Sequence, residues 1–404
     1  MTKNRFLWCI TILSALAYSV AFLGPACAGW LAVPAVGLLG WHRVDAVQAF
    51  VWGLLAFGLH SLWILQVLLM HTLCSGWLCV AVFTPLVLLG GLIAAGWWGA
   101  MQTAARCVSP RMRGVARGVA TLIVWWWLCS LYPFINPLIP LAQYRWFLRS
   151  LALVFGAWHG YTLPPSLPTA LNESIGYIRP VINRAMDSVP AWAHDPYAVG
   201  QRLNDQIQKS AKPLLVSPES TFTFPLIDHE NIGKSFFNTK NDQQVVLMGS
   251  GMKKADGVRH AVYCLQGGLI IDFYVKKSLL PFAEQTPLWL SWMTPFLQRI
   301  SRGAWADSLP GALAEGAEIF EVGLPFKIRP RICWEFFAGD WDYERTSVLF
   351  AFINDSWFTP YARKNMLLTA VLKSHCHQRL VVYIGHFGCY TINPYTSTIT
   401  SLRS

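Results

Sequence analysis

From position 46 to position 105 the chain carries no Asp, Glu, Lys or Arg, and Asp45 is the one acidic residue before Glu173. A soluble domain of ordinary composition cannot leave so long a stretch uncharged, because its outer faces must meet water. The first part of this chain must therefore face an apolar medium. A helix needs about 20 consecutive apolar residues to cross the hydrocarbon core of a bilayer. Ala49–Leu69 and Trp77–Ala100 reach that length and are the clearest spans. Lys3 and Arg5 precede an apolar run from Leu7 to Leu23. Alone, that run would also fit a secretory signal ending at Ala26-Cys27-Ala28; the spans that follow favour an uncleaved anchor. Ala28–Trp41 is shorter and contains Pro34. Gly118–Tyr132, with Trp125, Trp126 and Trp127 at an expected interface, and Phe147–Tyr161, interrupted by Arg149, bring the set to five or six segments.

The whole chain has 404 residues, 54% of them apolar and 13% charged, with 20 Trp. The acidic residues other than Asp45 all lie from Glu173 onward, so the second half reads as water-soluble. A net charge of +11 raises the question of nucleic acid, but the basic residues form no sustained run. Their densest cluster, Arg106, Arg111, Arg113 and Arg117, lies between two apolar segments, as a cytoplasmic loop would under the positive-inside rule. No direct nucleic-acid contact is expected. The ten cysteines contain no Cys-x-x-Cys pair, so neither a disulfide framework nor a zinc ribbon is indicated.

Leu163-Pro164-Pro165-Ser166-Leu167-Pro168 marks a boundary, since proline ends helices and stiffens linkers. The organisation expected is a transmembrane helical region over 1–162, a Pro-rich linker over 163–171 and a soluble domain over 172–404. In that domain Pro196–Lys212 reads as a helix leading into a short strand, Leu214–Ser217. Further strand-like runs are Val245–Gly249, His260–Gln266, Leu269–Tyr274, Ile328–Cys333, Val348–Asn354 and Leu380–Ile384, and Tyr361–His377 reads as a helix. Strands in this number with helices between them predict a layered α/β domain.

Three local signals stand at the ends of those strands. They are Ser217-Pro218-Glu219-Ser220, Tyr274-Val275-Lys276-Lys277-Ser278-Leu279-Leu280-Pro281-Phe282-Ala283-Glu284 and Arg331-Ile332-Cys333-Trp334-Glu335. Singly, each has an ordinary explanation: a core cysteine, a solvated turn, a surface lysine pair. Together they supply the parts of a thiol enzyme. A thiol of ordinary pKa, near 8.5, is a weak nucleophile at neutral pH and needs a base or a cation beside it. Glu219 can take the Cys333 proton and return it later. Lys276 can offer a fixed positive charge to the oxyanion of a tetrahedral intermediate.

In order and spacing these residues resemble the nitrilase, or carbon-nitrogen hydrolase, superfamily, and within it the membrane-bound apolipoprotein N-acyltransferases. That branch has Pro-Glu-Ser after a buried strand, a Tyr-x-Lys-x-x-Leu-x-Pro-Phe-x-Glu block and Cys-aromatic-Glu at a strand end. An Asn-Asp-x-Trp-Phe block follows, matched here by Asn354-Asp355-Ser356-Trp357-Phe358. The resemblance implies a multi-pass helical membrane region followed by an α-β-β-α nitrilase-like sandwich. It implies a catalytic triad of Glu219, Lys276 and Cys333, with Glu284 hydrogen-bonding near the lysine and Glu335 and Trp334 shaping the site. Lys277 competes for the lysine role, but the Tyr-x-Lys spacing and the interval to Glu284 favour Lys276. Ser217 and Trp334 stand where the family more often has Trp and Tyr, and the membrane half is shortened, with no final apolar helix before Ser404.

Those departures are similar to the plasmid conjugal-transfer TraB proteins, a divergent group akin to the N-acyltransferases. The resemblance implies support of plasmid transfer from the bacterial inner membrane, with the catalytic domain on the periplasmic side. The partners expected are a membrane lipid or acylated substrate and proteins of the conjugation machinery; no cofactor is expected. The leading function is acyl transfer or amide cleavage through an acyl-Cys333 thioester; the alternatives are apolipoprotein N-acylation proper, a membrane-tethered amidase with water as acceptor, and a non-catalytic envelope scaffold. His375, Cys376, His377, His386 and Cys389 cluster near the end of the chain. At about 100° per residue, His375 and His377 point to nearly opposite faces of a helix, so no metal site is expected there.

Overall fold

The computed structural model describes residues 3–23, 26–41, 44–71, 76–109, 112, 113, 115–117, 120, 136, 138–159, 167–181, 191–226, 243–254, 257–280, 284, 316–339, 341 and 347–402. The chain divides into two compact units, Met1–Phe147 with Phe358–Leu372, and Leu148–Trp357 with Lys373–Ser404.

In the first unit, α1 (Lys3–Leu23), α2 (Ala32–Trp41), α3 (Ala46–His60), α4 (Leu62–His71) and α5 (Gly76–Arg106) follow the apolar runs. Among the described residues, two helices are long and apolar enough to cross a membrane, Arg5–Leu23 and Cys79–Arg106. A third span is reached only by joining α3 to Leu62–Leu69 across a bend of 47°. Ala49–Leu69, expected as one of the clearest spans, is thus broken. At Ser61 the backbone leaves the helical region, with ψ of 5°, and its N–H turns back to the Phe57 carbonyl at 2.9 Å. Phe147–Tyr161 corresponds to α6 (Arg145–His159), 15 residues that include Arg145 and Arg149. That is short of the roughly 20 residues a span needs. Gly118–Tyr132 lies almost wholly outside the described residues.

Asp45, the lone acid of this half, starts α3. Its carboxylate accepts from the Gln48 N–H at 2.8 Å while the Gln48 side chain accepts from the Asp45 N–H at 3.0 Å, a reciprocal capping box. α3 and α5 meet through small residues: a Cβ on Gly53 would lie 2.5 Å from the Gly90 carbonyl oxygen. In a bilayer, where lipid tails are as apolar as the helices, close backbone approach of this kind would supply the association that water drives elsewhere. The segment Phe358–Leu372 belongs to this unit, with the Tyr361 hydroxyl 3.0 Å from Nδ1 of the buried His60.

The second unit is built on two mixed sheets. The first runs β1 (Ile175–Tyr177), β2 (Leu214–Val216), β4 (Val245–Lys254), β5 (Gly257–Gln266), β6 (Leu269–Val275), with β3 (Phe222–Pro225) pairing alongside β4. The second runs β11 (Thr398–Leu402), β10 (Gly388–Asn393), β9 (Val381–Gly385), β8 (Ser347–Phe352), β7 (Lys327–Ile332). β1, β2 and β4 are parallel, as are β7, β8 and β9.

Side-chain alternation with a period of two assigns the faces. Val245 and Leu247 of β4 and Val262 and Cys264 of β5 join Val348, Phe350, Phe352, Val382 and Ile384 of the second sheet in one buried cluster. The two sheets therefore share a core. On the other face of the first sheet, Val246, Met248, Tyr263 and Leu265 pack with Val199, Leu203 and Ile207 of α8 (Pro196–Lys209). Asp195 caps that helix and Pro196 opens it. A helix α7 (Leu167–Ser174) precedes β1 and occupies the second half of the expected linker, with Pro168 in its first turn where a missing N–H costs nothing.

Candidate active site

The site is assembled where β2, β6, β7 and β8 end. Ser217 prolongs the ladder of β2, its N–H donating to the Leu247 carbonyl at 2.9 Å, and the chain then turns through Pro218 and Glu219. Thr221 fixes the turn by donating its hydroxyl to the Pro218 carbonyl at 2.8 Å. The turn presses on Gly249 of β4, where a Cβ would stand 2.1 Å from the Pro218 oxygen, so only glycine fits beneath it. Glu219 is thereby held with 3% exposure.

Its carboxylate and its backbone each have a fixed partner. Oε2 accepts the Asn354 backbone N–H at 3.0 Å, and the His386 Nε2–H donates to the Glu219 carbonyl at 2.7 Å. Asp355 holds His386 in turn, accepting its backbone N–H at 2.6 Å. The Asn354-Asp355-Ser356 run thus acts through backbone and turn contacts that orient Glu219.

Lys276 follows β6 directly and its side chain is fully buried. Nζ lies 2.6 Å from Glu284 Oε1 and 3.3 Å from Glu219 Oε1. Burial opposes the ammonium, but Glu219 and Glu284 outweigh it and raise the Lys276 pKa above the ordinary lysine value. The Glu284 carboxyl is lowered despite its burial, chiefly by Lys276. Glu284 is anchored as well by the Leu280 N–H, which donates to Oε2 at 2.7 Å. Lys277 points elsewhere: it pairs with Glu318, which also meets Arg329 at 3.2 Å. Lys276, not Lys277, stands between the carboxylates.

Cys333 sits between β7 and a single helical turn, α9 (Trp334–Ala338), with φ 47° and ψ −107°. That backbone region suits glycine and is costly for a side chain. Its N–H donates to the Phe352 carbonyl at 2.8 Å, which ties the turn to β8. Burial first, then the Glu219 charge, pushes the Cys333 thiol up, while Lys276 pulls the other way. A thiol placed so calls for a base to take its proton before it attacks. The structure brings Glu219, Lys276, Cys333 and Glu284 into one electrostatic group.

Glu335 is a structural clasp. Oε2 accepts the Tyr274 hydroxyl at 2.9 Å and the Ile332 N–H at 3.0 Å; Oε1 accepts the Ser278 N–H at 2.9 Å and the Lys277 N–H. One carboxylate thus ties the end of β6 to the end of β7. We expect Glu335→Gln to cost about 2–3 kcal/mol, because an amide must turn its own N–H groups toward two of these donors. Chemical denaturation checks this, and a change under 0.5 kcal/mol would show the clasp to be dispensable. Trp334 opens the helical turn and is half-buried.

Sequence reasoning did not single out His260. It lies on β5, with Nδ1 3.5 Å from Glu219 Oε1 and Nε2 3.6 Å from Glu284 Oε1. No motif marks it; only the strand pairing brings it here. Glu219, His260 and Glu284 are also the grouping, among the described residues, whose ligand atoms converge within 4.8 Å as a metal site would require. The Lys276 ammonium already lies against both carboxylates, so a divalent ion there would face a buried cation at contact distance.

No family model matches the chain. It is 26% identical over 225 residues to a Rhizobium etli protein, covering 51% of this chain and 41% of that one. It is 25% identical over 226 residues to one from Rhizobium leguminosarum, at the same coverage. To one from Aquifex aeolicus it is 26% identical over 147 residues, 36% of this chain and 32% of the other. All three carry one name. The chain is similar to apolipoprotein N-acyltransferases. It spans about two-fifths of the length of the two Rhizobium N-acyltransferases. Among solved structures, XC1258 from Xanthomonas campestris, a CN-hydrolase superfamily protein with an arsenic adduct in its active site, overlays 57% of this chain and 84% of its own at 12% identity and TM-score 0.33. A glutamine-dependent NAD(+) synthetase from Cytophaga hutchinsonii overlays 55% of this chain and 39% of its own at the same identity and score.

Proposed function

We propose that this chain is a membrane-anchored enzyme of the nitrilase type, on an α-β-β-α sandwich, that carries an acyl group on Cys333 and passes it to a nucleophilic acceptor. The observation that carries this reading is the buried Lys276 ammonium held between Glu219 and Glu284, with Cys333 on a strained turn of the same group. In the first half-reaction the sulfur attacks the acyl carbonyl and Glu219 takes its proton. The oxyanion that forms faces the Lys276 charge, and Glu219 then gives the proton to the departing group. In the second, an acceptor adds to the thioester, the carbon–sulfur bond breaks and Cys333 regains a proton through Glu219. A membrane lipid or acylated substrate fits as donor, because the apolar helices would hold the site at the bilayer. Water as acceptor would make the same residues an amidase.

The test is mass spectrometry of the purified protein after incubation with phospholipid vesicles. One acyl group on the Cys333 peptide, released by hydroxylamine, is the expected result. Unmodified Cys333 under conditions where the donor is consumed would sink the thioester route.

The reading includes a multi-pass position in the bacterial inner membrane with the second unit in the periplasm, supported by the two apolar helices and by the resemblance to the N-acyltransferases. Alkaline phosphatase fused after Ser404 should be active; an inactive fusion with a fluorescent cytoplasmic reporter at the same site would place the unit inside. A role in conjugal plasmid transfer, with partners in the conjugation machinery, rests on the resemblance to TraB proteins. Cys333→Ala protein that supports plasmid transfer at the parental level would replace catalysis by a scaffold role.

A further inference from the structure

His260 is the most exposed member of the Glu219, Glu284, Lys276 and His260 group. Its side chain is 36% exposed, against 4% for Glu219, 19% for Glu284 and none for Lys276. It spans the two carboxylates, Nδ1 toward Glu219 Oε1 at 3.5 Å and Nε2 toward Glu284 Oε1 at 3.6 Å, with the Ser220 hydroxyl 3.3 Å from Nδ1. The β4–β5 pairing and the Lys276 N–H, which donates to the His260 carbonyl at 2.9 Å, fix its backbone. Two carboxylates and one ammonium leave the group one negative charge in excess, which favours a cationic acceptor over a neutral or anionic one.

Resting on the acyl-Cys333 reading above, we propose that His260 is a proton relay that serves an acceptor arriving as a primary ammonium. The proton count gives such a group a task. An ammonium that becomes an amide on an acyl-Cys333 thioester sheds two protons. One travels through Glu219 to the departing Cys333 sulfur; Glu219 cannot hold the other at the same time. His260 takes it on Nδ1, with Nε2–H directed at Glu284, whose charge steadies the imidazolium until the exposed ring releases the proton to water. Carbon–nitrogen bond formation and carbon–sulfur bond cleavage balance with one proton delivered to solvent, and no other reactant is needed. Water as acceptor sheds only one proton at the site, so hydrolysis does not need the relay. The distances of 3.5 and 3.6 Å need to shorten by a few tenths of an ångström when substrate is bound, as unliganded catalytic contacts commonly do.

The experiment uses the full chain in detergent micelles with p-nitrophenyl butyrate as donor and glycinamide as acceptor. The burst of p-nitrophenolate reports acylation, and the products butyrate and butyrylglycinamide report how the acyl-enzyme partitions. An α-amine of this kind has a pKa of about 8, so at pH 7 it is mostly ammonium and at pH 9 mostly free amine. In His260→Gln the ratio of butyrylglycinamide to butyrate should fall about 10-fold at pH 7, because only the tenth or so of the acceptor that is already free amine can react without the relay. Raising the pH to 9, or adding imidazole at pH 7, should restore most of it. A structural role would not give that pattern. Amide formation by His260→Gln at the parental level at pH 7, an equal loss at pH 7 and pH 9, or a parental enzyme that forms no amide would each overturn the relay. A parental enzyme with no burst would overturn the thioester reading itself, which separates the two failures.

Discussion

Cys333→Ala protein should form no acyl adduct and show no turnover, while Cys333→Gly should be equally inactive and measurably more stable than Cys333→Ala. The first result follows because in the proposed reaction the sulfur is the atom that bonds the acyl group. The second follows from the backbone: φ 47° with ψ −107° is open to glycine and strained for any residue with a Cβ. Such strain costs about 1–3 kcal/mol, and glycine gives back about 0.5–1 kcal/mol through its freer unfolded chain. A net gain on the order of 1 kcal/mol should appear as a higher unfolding temperature for Cys333→Gly than for Cys333→Ala. Cys333→Ser should be nearly as inactive as Cys333→Ala, since a hydroxyl is much harder to ionise for a carboxylate base. Cys264 and Cys376, whose thiols burial pushes up to about 12, lie outside this turn, and conservative substitution there should leave turnover largely intact. Equal unfolding temperatures for the Gly and Ala variants would show that the turn stores no strain.

The parts of this molecule that sequence made legible are those where a periodic or chemical pattern is local. The runs at Val245, His260, Leu269, Ile328, Val348 and Leu380 each overlap a strand, because buried strands are continuous apolar or alternating stretches. The strands β1, β3 and β11 carry no such pattern: the first two have three and four residues and the last leaves Ile399 exposed, so pairing with neighbours makes them strands. The break at Ser61 was equally invisible, since an apolar run reads the same whether straight or bent by 47°. Glu219, Lys276 and Cys333 stood out in the sequence through their flanking residues, and the structure sets Lys276 Nζ 3.3 Å from Glu219 Oε1. His260 did not stand out, since its place depends on which residue of β5 lies across from Gly251. Of the two adjacent lysines, Lys277 pairs with Glu318 while Lys276 lies between Glu219 and Glu284, a difference in partners that the spacing alone does not display.

Lys276→Met should remove most activity and, unlike a simple loss of an oxyanion contact, should also make stability depend strongly on pH. Loss of one oxyanion-stabilising group costs about 100- to 1,000-fold in rate. The methionine stem fills the space of the lysine stem, but Glu219 and Glu284 are left facing each other with no cation between them. Removing one partner of a buried ion pair typically costs about 3–5 kcal/mol. In the parent, Lys276 holds the Glu284 carboxyl low, so its contribution to stability is present above the unfolded carboxylate pKa and lost as pH falls through the lower folded value. In Lys276→Met the sign reverses. Like charge and burial would raise the folded pKa of one carboxyl, so that stability is retained at low pH, where it is protonated, and lost as pH rises through the folded value. The variant should therefore lie close to the parent in stability near pH 5 and well below it near pH 8. Lys276→Met/Glu284→Gln, with one buried charge fewer, should regain most of the lost stability at pH 8 and none of the activity. Denaturation curves at the two pH values, beside the p-nitrophenolate burst, separate these effects. A Lys276→Met variant with parental stability at pH 8, or a double variant that regains the burst, would show that Lys276 does not neutralise this pair or does not assist the chemistry.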